Sequence, residues 1–127
     1  MRLDIHLVEC KYVSTTKTIP VVVKLSTDDD EVEIAEKIDL MEILLIQGDE
    51  AKLGTYTTCR LGLPRNTFTV SKQKPHYIVY DVYEDCRAID IEPGDYEVSI
   101  KLKVYVKVNE GDFQTIELSG KIPILIE

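Results

Sequence analysis

From Tyr96 to Val108 the chain alternates without a break. Tyr96, Val98, Ile100, Leu102, Val104, Val106 and Val108 fall on one side, and Glu97, Ser99, Lys101, Lys103, Tyr105 and Lys107 on the other. A period of two sustained that long predicts a strand with one buried face. Asn109-Glu110-Gly111-Asp112 predicts a hairpin turn. Phe113–Ile126 then predicts a returning strand with its apolar phase at Ile116, Leu118, Ile122, Ile124 and Ile126. Opposed residues share a face, so the expected register sets Val106 against Ile116, Val104 against Leu118, Ile100 against Ile122 and Val98 against Ile124. Leu102 then faces Gly120, where a bend or bulge is expected, and Pro123 marks an edge.

Upstream the pattern is more broken. Leu3, Ile5 and Leu7 alternate with Asp4 and His6, predicting an edge strand within 3–13 and a bulge near Val8 or Glu9. Thr15–Thr18 is a polar connector, and Ile19–Leu25 predicts a second strand with Pro20 at its start. Ser26–Glu31 is an acidic turn. Two readings are open beyond it. Ile34, Ile38, Met41 and Leu45 have helical spacing, with Asp28 and Glu31 as a capping box and Gly48 as a C-cap. Yet the apolar residues of 32–46 do not gather on one side of a helix, and Val32/Ile34 and Ile38/Leu40 alternate with acids, so two short strands are preferred. Thr-rich 51–61, then 67–70 and 76–83 predict further strands, separated by a loop at 62–66 and a turn at 72–75, with a polar connection at 84–90. About eight strands without a βαβ pattern imply an all-β antiparallel sandwich, with residues 1–127 as one domain.

Composition supports that picture. The chain of 127 residues is 44% hydrophobic, enough for a core without disulfides or a metal. The formal charge is -8, from 15 basic and 23 acidic residues. That field repels phosphate backbones, so nucleic acid is not expected as a partner. Cys10, Cys59 and Cys86 form no C-x-x-C pair, and Arg2, Asp4 and His6 interrupt any apolar run after Met1. A cytoplasmic, reducing location with free thiols is therefore expected. A Cys59–Cys86 bridge is the alternative if a secretion signal precedes the chain. No apolar run has the length of a membrane span, and no membrane association is expected.

The segment Ile91-Glu92-Pro93-Gly94-Asp95-Tyr96-Glu97-Val98 resembles the tyrosine corner of immunoglobulin-like sandwiches. Gly94 would supply an unusual backbone angle, and the Tyr96 hydroxyl would tie the incoming connection to the sheet. The wider layout, with Val21–Leu25 early and Tyr77–Tyr80 before the Pro-Gly turn, is similar to small bacterial Ig-like accessory domains and intracellular proteinase inhibitors. It also looks like the non-catalytic Ig-like domain that precedes some zinc proteases. The resemblance implies an immunoglobulin-like β-sandwich. The chain departs from the inhibitors in carrying Ser26-Thr27-Asp28 where an Asn is usual and in lacking their Phe-rich segment.

Candidate chemistry is sparse. Asp28-Asp29-Asp30-Glu31 lacks the alternating spacing and central Gly of a calcium loop, so a solvated turn is expected and no metal. Asp81, Glu84, Asp85 and Asp90 form a second acidic group, which would make a charged rim with the first if both lie at one pole. His6 and His76 lack zinc-site spacing, and no nucleophile elbow or phosphate loop is present, so neither an enzyme nor a cofactor is expected. Lys101, Lys103 and Lys107 are expected to guard the sheet and balance acids such as Glu117 across the strand. Loops carry function on rigid sandwiches. The candidate binding residues are therefore Gly62, Leu63, Pro64, Arg65 and Asn66, with Glu84 and Asp85. The expected function is a non-enzymatic protein-interaction or accessory module. Two alternatives stand beside it: a proteinase inhibitor of the Ig-like type, and an assembly subunit forming homo-oligomers through edge strands 3–8 or 121–126.

Overall fold

The hydrophobic alternation folds into two antiparallel sheets, described here from a computed structural model. Residues 1–8, 11–56, 66–85 and 91–127 are described, with backbone alone for 51–56 and 84–85. Among them the strands are β1 (Arg2–Leu7), β2 (Pro20–Ser26), β3 (Val32–Ala35), β4 (Asp39–Gln47), β5 (Glu50–Tyr56), β6 (Thr67–Val70) and β7 (His76–Asp81). A single-turn helix, α1 (Val82–Asp85), precedes the long β8 (Gly94–Asn109) and β9 (Asp112–Ile126). One sheet has the order β1-β2-β7. The other runs β5-β4-β8-β3-β6, and β9 pairs with β8. The protein is thus an all-β antiparallel sandwich.

Each sheet buries one face. Val21, Val23 and Leu25 of β2 meet Ile43, Leu45, Val98, Ile100, Leu102 and Val104 of the larger sheet, all at 0% exposure. Burial at that density is the main favourable contribution to the fold.

The β8–β9 hairpin keeps the expected faces but not the expected register. Val104 opposes Ile116, Leu102 opposes Leu118, Ile100 opposes Gly120 and Val98 opposes Ile122, a slip of two residues. A period-two pattern fixes the face and leaves such a slip open. The irregularity lies between Lys107 and Asn109, at the turn end, and not at Gly120. It leaves Val108 about half exposed although its phase is that of the core. Gly120 instead lets the sheets approach. A Cβ there would lie 2.6 Å from Leu3 Cδ2 and 3.2 Å from the Leu3 carbonyl oxygen.

Segment 28–48 forms two strands and no helix. β4 is nine residues, longer than expected, and carries a bulge between Leu40 and Glu42. Leu40 opposes Leu102 on the inner face, whereas Glu42 opposes Lys101 on the outer. Met41 is the extra residue, and it moves the buried phase from even to odd positions. That phase change scatters the apolar residues and imitates helical spacing. Gly48, with φ 64°, serves the β4–β5 turn in place of a helix cap.

Tyr96 is buried and its hydroxyl donates to the Glu92 carbonyl at 2.6 Å, the tie expected from the Pro-Gly-x-Tyr segment. Tyr96→Phe removes one hydrogen bond whose acceptor residue is exposed and can turn to water. The expected loss is about 1 kcal/mol, measured by urea unfolding. A change near zero would show that the corner is held by packing alone.

Candidate interaction surface

The polar features found in the sequence are largely accounted for by structure. The acidic turn is braced by a Thr27 side chain that is itself buried and accepts the Asp29 N–H at 3.2 Å. Asp28 pairs with Arg2 at 3.1 Å in an exposed contact. Asp81, of the second acidic group, does not join it. Asp81 opposes Pro20 at one end of β2, and Asp28 lies beyond Ser26 at the other, roughly 20 Å away along the strand. Asp81 therefore does not share a rim with the acidic turn, and Asp90 lies outside the described residues.

Asp81 has a structural task. Its Oδ1 accepts the Ile19 N–H at 2.9 Å and the Tyr83 N–H at 3.0 Å, and its Oδ2 accepts from the Thr18 hydroxyl. It caps α1, which is why the strand expected to reach Tyr83 stops at Asp81. The lysines of β8 balance acids as expected. Lys103 opposes Glu117 in the ladder, and Lys107 lies 3.5 Å from Glu33 and 3.8 Å from Glu110. Tyr105, on the expected polar face, is buried, and its hydroxyl donates to Asp39 at 2.7 Å.

Of the candidate binding residues, Gly62, Leu63, Pro64 and Arg65 lie outside the described residues, as do Cys10, Cys59 and Cys86. Asn66 is exposed, and its carbonyl accepts the Glu36 N–H at 3.0 Å, which ties it to the β3–β4 connection. Glu84 and Asp85 end α1, beside β7. The edges expected to self-pair are partly used within the chain. Tyr12 and Ser14 donate to the carbonyls of Leu125 and Glu127, and Glu127 donates back to Tyr12, so a short parallel bridge covers the end of β9. β1 packs onto β9 through Leu3 at Gly120.

The surface that stands out is β7. Among the described residues it is an edge strand, paired with β2. Tyr77 and Val79 point outward and are 56% and 64% exposed, the two highest values among the large apolar side chains described. The ladder places Val22 beside Val79, with His6 beyond it, and Lys24 beside Tyr77, with Asp4 beyond. Edge strands are commonly blunted by Lys, Pro or a charge. β9 has Lys121 and Pro123, β1 has Arg2 and Asp4, and β6 is only four residues long. β7 reads His-Tyr-Ile-Val-Tyr-Asp and carries no such guard until its last residue. The signal was present in the sequence as a strand apolar on both faces. Its meaning required knowing that the strand is an edge.

His76 marks where β7 meets the other sheet. Its ring stacks on Phe68 of β6, with centroids 4.4 Å apart. Burial there lowers its pKa from the ordinary histidine value, because the charged form is desolvated. In the unfolded chain the ring takes a proton more readily. The contribution is therefore fully present above the unfolded value, about 6.5, and is lost as pH falls through it toward the folded value. The expected result is a stability slope in that window that flattens in His76→Gln, followed by urea unfolding across pH. An unchanged slope would place its origin elsewhere.

Among the described residues no three His, Cys, Asp or Glu side chains gather closely enough to hold a metal ion. No helix there is long and apolar enough to cross a membrane. No protein-family model matches the chain, and no curated protein sequence matches it. Among solved structures, Spo0M, a sporulation control protein from Bacillus subtilis, is similar at 16% identity and a TM-score of 0.44. The match covers 99% of this chain and 49% of that one, so the chain spans about half the length of the Spo0M chain.

Proposed function

We propose that the chain is a non-enzymatic protein-interaction module, an immunoglobulin-like sandwich working in the cytoplasm. Its binding surface is the open edge and outer face of β7. The observation that carries this reading is the adjacent pair Tyr77 and Val79, exposed on an unguarded edge strand. An extended segment laid along such an edge gains main-chain hydrogen bonds, and its alternate side chains meet the face formed by Tyr77, Val79 and Val22. Aromatic and branched apolar side chains at that position supply contact area with little entropy to lose.

The test is a selection of displayed peptides against the wild-type chain, followed by affinity measurement on Val79→Lys. Val79 is mostly exposed, so this change leaves folding nearly untouched. Selected peptides are expected to bind Val79→Lys about tenfold more weakly or worse. Equal affinity for both chains would reject β7 as the site.

A further inference from the structure

We infer that a second binding site lies between β3 and β8, where it takes the side chain of an arginine from an extended segment of a basic protein partner. The site is independent of β7. The two strands join at the single pair Ile34–Val106. A continued antiparallel ladder would set Glu33 against Lys107 and Val32 against Val108. The pairing stops before them, and a cleft of about 370 Å³ lies between Glu31–Glu33 on one side and Val106–Glu110 on the other. Val32 and Val108 line it with the phase of the core, whereas Glu33 and Lys107 line it with the opposite phase. A lining drawn from both phases is that of a gap between strands, not of a hollow on one face.

The chemistry of the lining selects the occupant. Val32, Val106 and Val108 offer an apolar wall, and Val108 is half exposed, so part of that wall lacks cover. Around it stand three carboxylates, of Glu31, Glu33 and Glu110, against the one ammonium of Lys107. Lys107 lies 3.5 Å from Glu33 Oε2 and 3.8 Å from Glu110 Oε1. Glu33 Oε2 also accepts from the Thr67 hydroxyl at 3.3 Å. Glu31 is exposed, and among the described residues its side chain has no ion-pair or hydrogen-bond partner. The cleft therefore carries an excess of acid and unused acceptors beside an apolar wall. A ligand with an apolar stem and a cationic end satisfies both. Arginine does so better than lysine, because its stem lies along valines while its planar fork holds two carboxylate oxygens at once. The guanidinium takes Glu31 and Glu33, and Lys107 keeps Glu110. The formal charge of -8 on the whole chain draws a basic partner toward the cleft and repels an acidic one.

The test is titration of the isotope-labelled full chain with a capped pentapeptide carrying one central arginine, followed by amide chemical shifts. Shifts are expected to concentrate at Val32, Glu33, Lys107 and Val108. Citrulline in place of the arginine keeps the shape and removes the charge, and is expected to weaken binding at least about tenfold. A chain carrying Glu31→Gln, Glu33→Gln and Glu110→Gln is expected to lose at least about as much. All three acids are at least half exposed or on the open surface, so this chain keeps its fold. A control chain carrying Asp49→Asn, Glu92→Gln and Asp95→Asn loses the same charge at the opposite end of β8 and is expected to bind like wild type. Absence of shifts at the cleft overturns the inference, as does equal binding of the citrulline peptide or of the Glu→Gln chain. Equal weakening in the control chain also overturns it, by showing that net charge alone draws the peptide. The Val79→Lys chain is expected to bind the arginine peptide like wild type, so failure of this site and failure of β7 are told apart.

Discussion

Leu102→Ala is expected to lower stability by about 3 kcal/mol, with the slope against denaturant unchanged. Leu102 has no exposure and sits in the middle of three adjacent strands, with Leu40 opposite on β4 and Leu118 opposite on β9. Truncation leaves a cavity bounded by two other leucines and by the facing sheet. The ladders on both sides hold the backbone, so collapse around the gap is limited. A domain of this size has roughly 5–15 kcal/mol in total, so the loss is a large share of it. The melting temperature should fall by roughly 10 °C. The neighbouring Lys103→Ala, on the outer face, should cost less than about 0.5 kcal/mol. A Leu102→Ala loss below about 1 kcal/mol would mean that the row of three leucines is not packed as described.

Gly120→Val is the second large effect and works through overpacking. Gly120 opposes Ile100 on the inner face, and Leu3 of the other sheet occupies the space a side chain would fill. The nearer contact, 2.6 Å to Leu3 Cδ2, is with the end of a side chain that can rotate. The 3.2 Å contact with the Leu3 carbonyl is with backbone and can yield only by moving β1. Alanine already places its Cβ at these two distances, so Leu3 must rotate and β1 must give by a few tenths of an ångström; a smaller loss than for valine is expected. Valine adds two methyl groups that push β1 away, and about 1–3 kcal/mol is expected. Hydrogen exchange should locate the loosening in β1. Equal stability of the valine and wild-type chains would contradict the close approach of β1 and β9.

The long alternating segments were the legible part of the fold. β8, β9, β2 and the tie from Tyr96 to Glu92 follow from residues whose period and turn chemistry agree. The two-residue slip of the hairpin was not legible, because every apolar pair in either register shares a face. A glycine in a strand suggests a bulge when only its own strand is considered. Gly120 is set by Leu3, more than a hundred residues away in sequence. β4 read ambiguously because its bulge at Met41 changes phase mid-strand. The same limit governs the site. Tyr77 and Val79 were visible as one side of an alternating strand, but only the sheet order of the described residues puts that strand at an edge. The lysine stripe was legible because charge balance between neighbouring strands depends on little besides the face.

The central claim is that β7 is where this chain pairs with another strand. Hydrogen exchange, read on wild type and Val79→Lys with the same excess of a selected peptide, tests it most directly. The expected result is slower exchange within His76–Asp81 in wild type, lost in Val79→Lys, with β2 and β8 unchanged between the two. Equal exchange of that segment in both chains, with the peptide bound to wild type, would place the interface elsewhere and contradict the account.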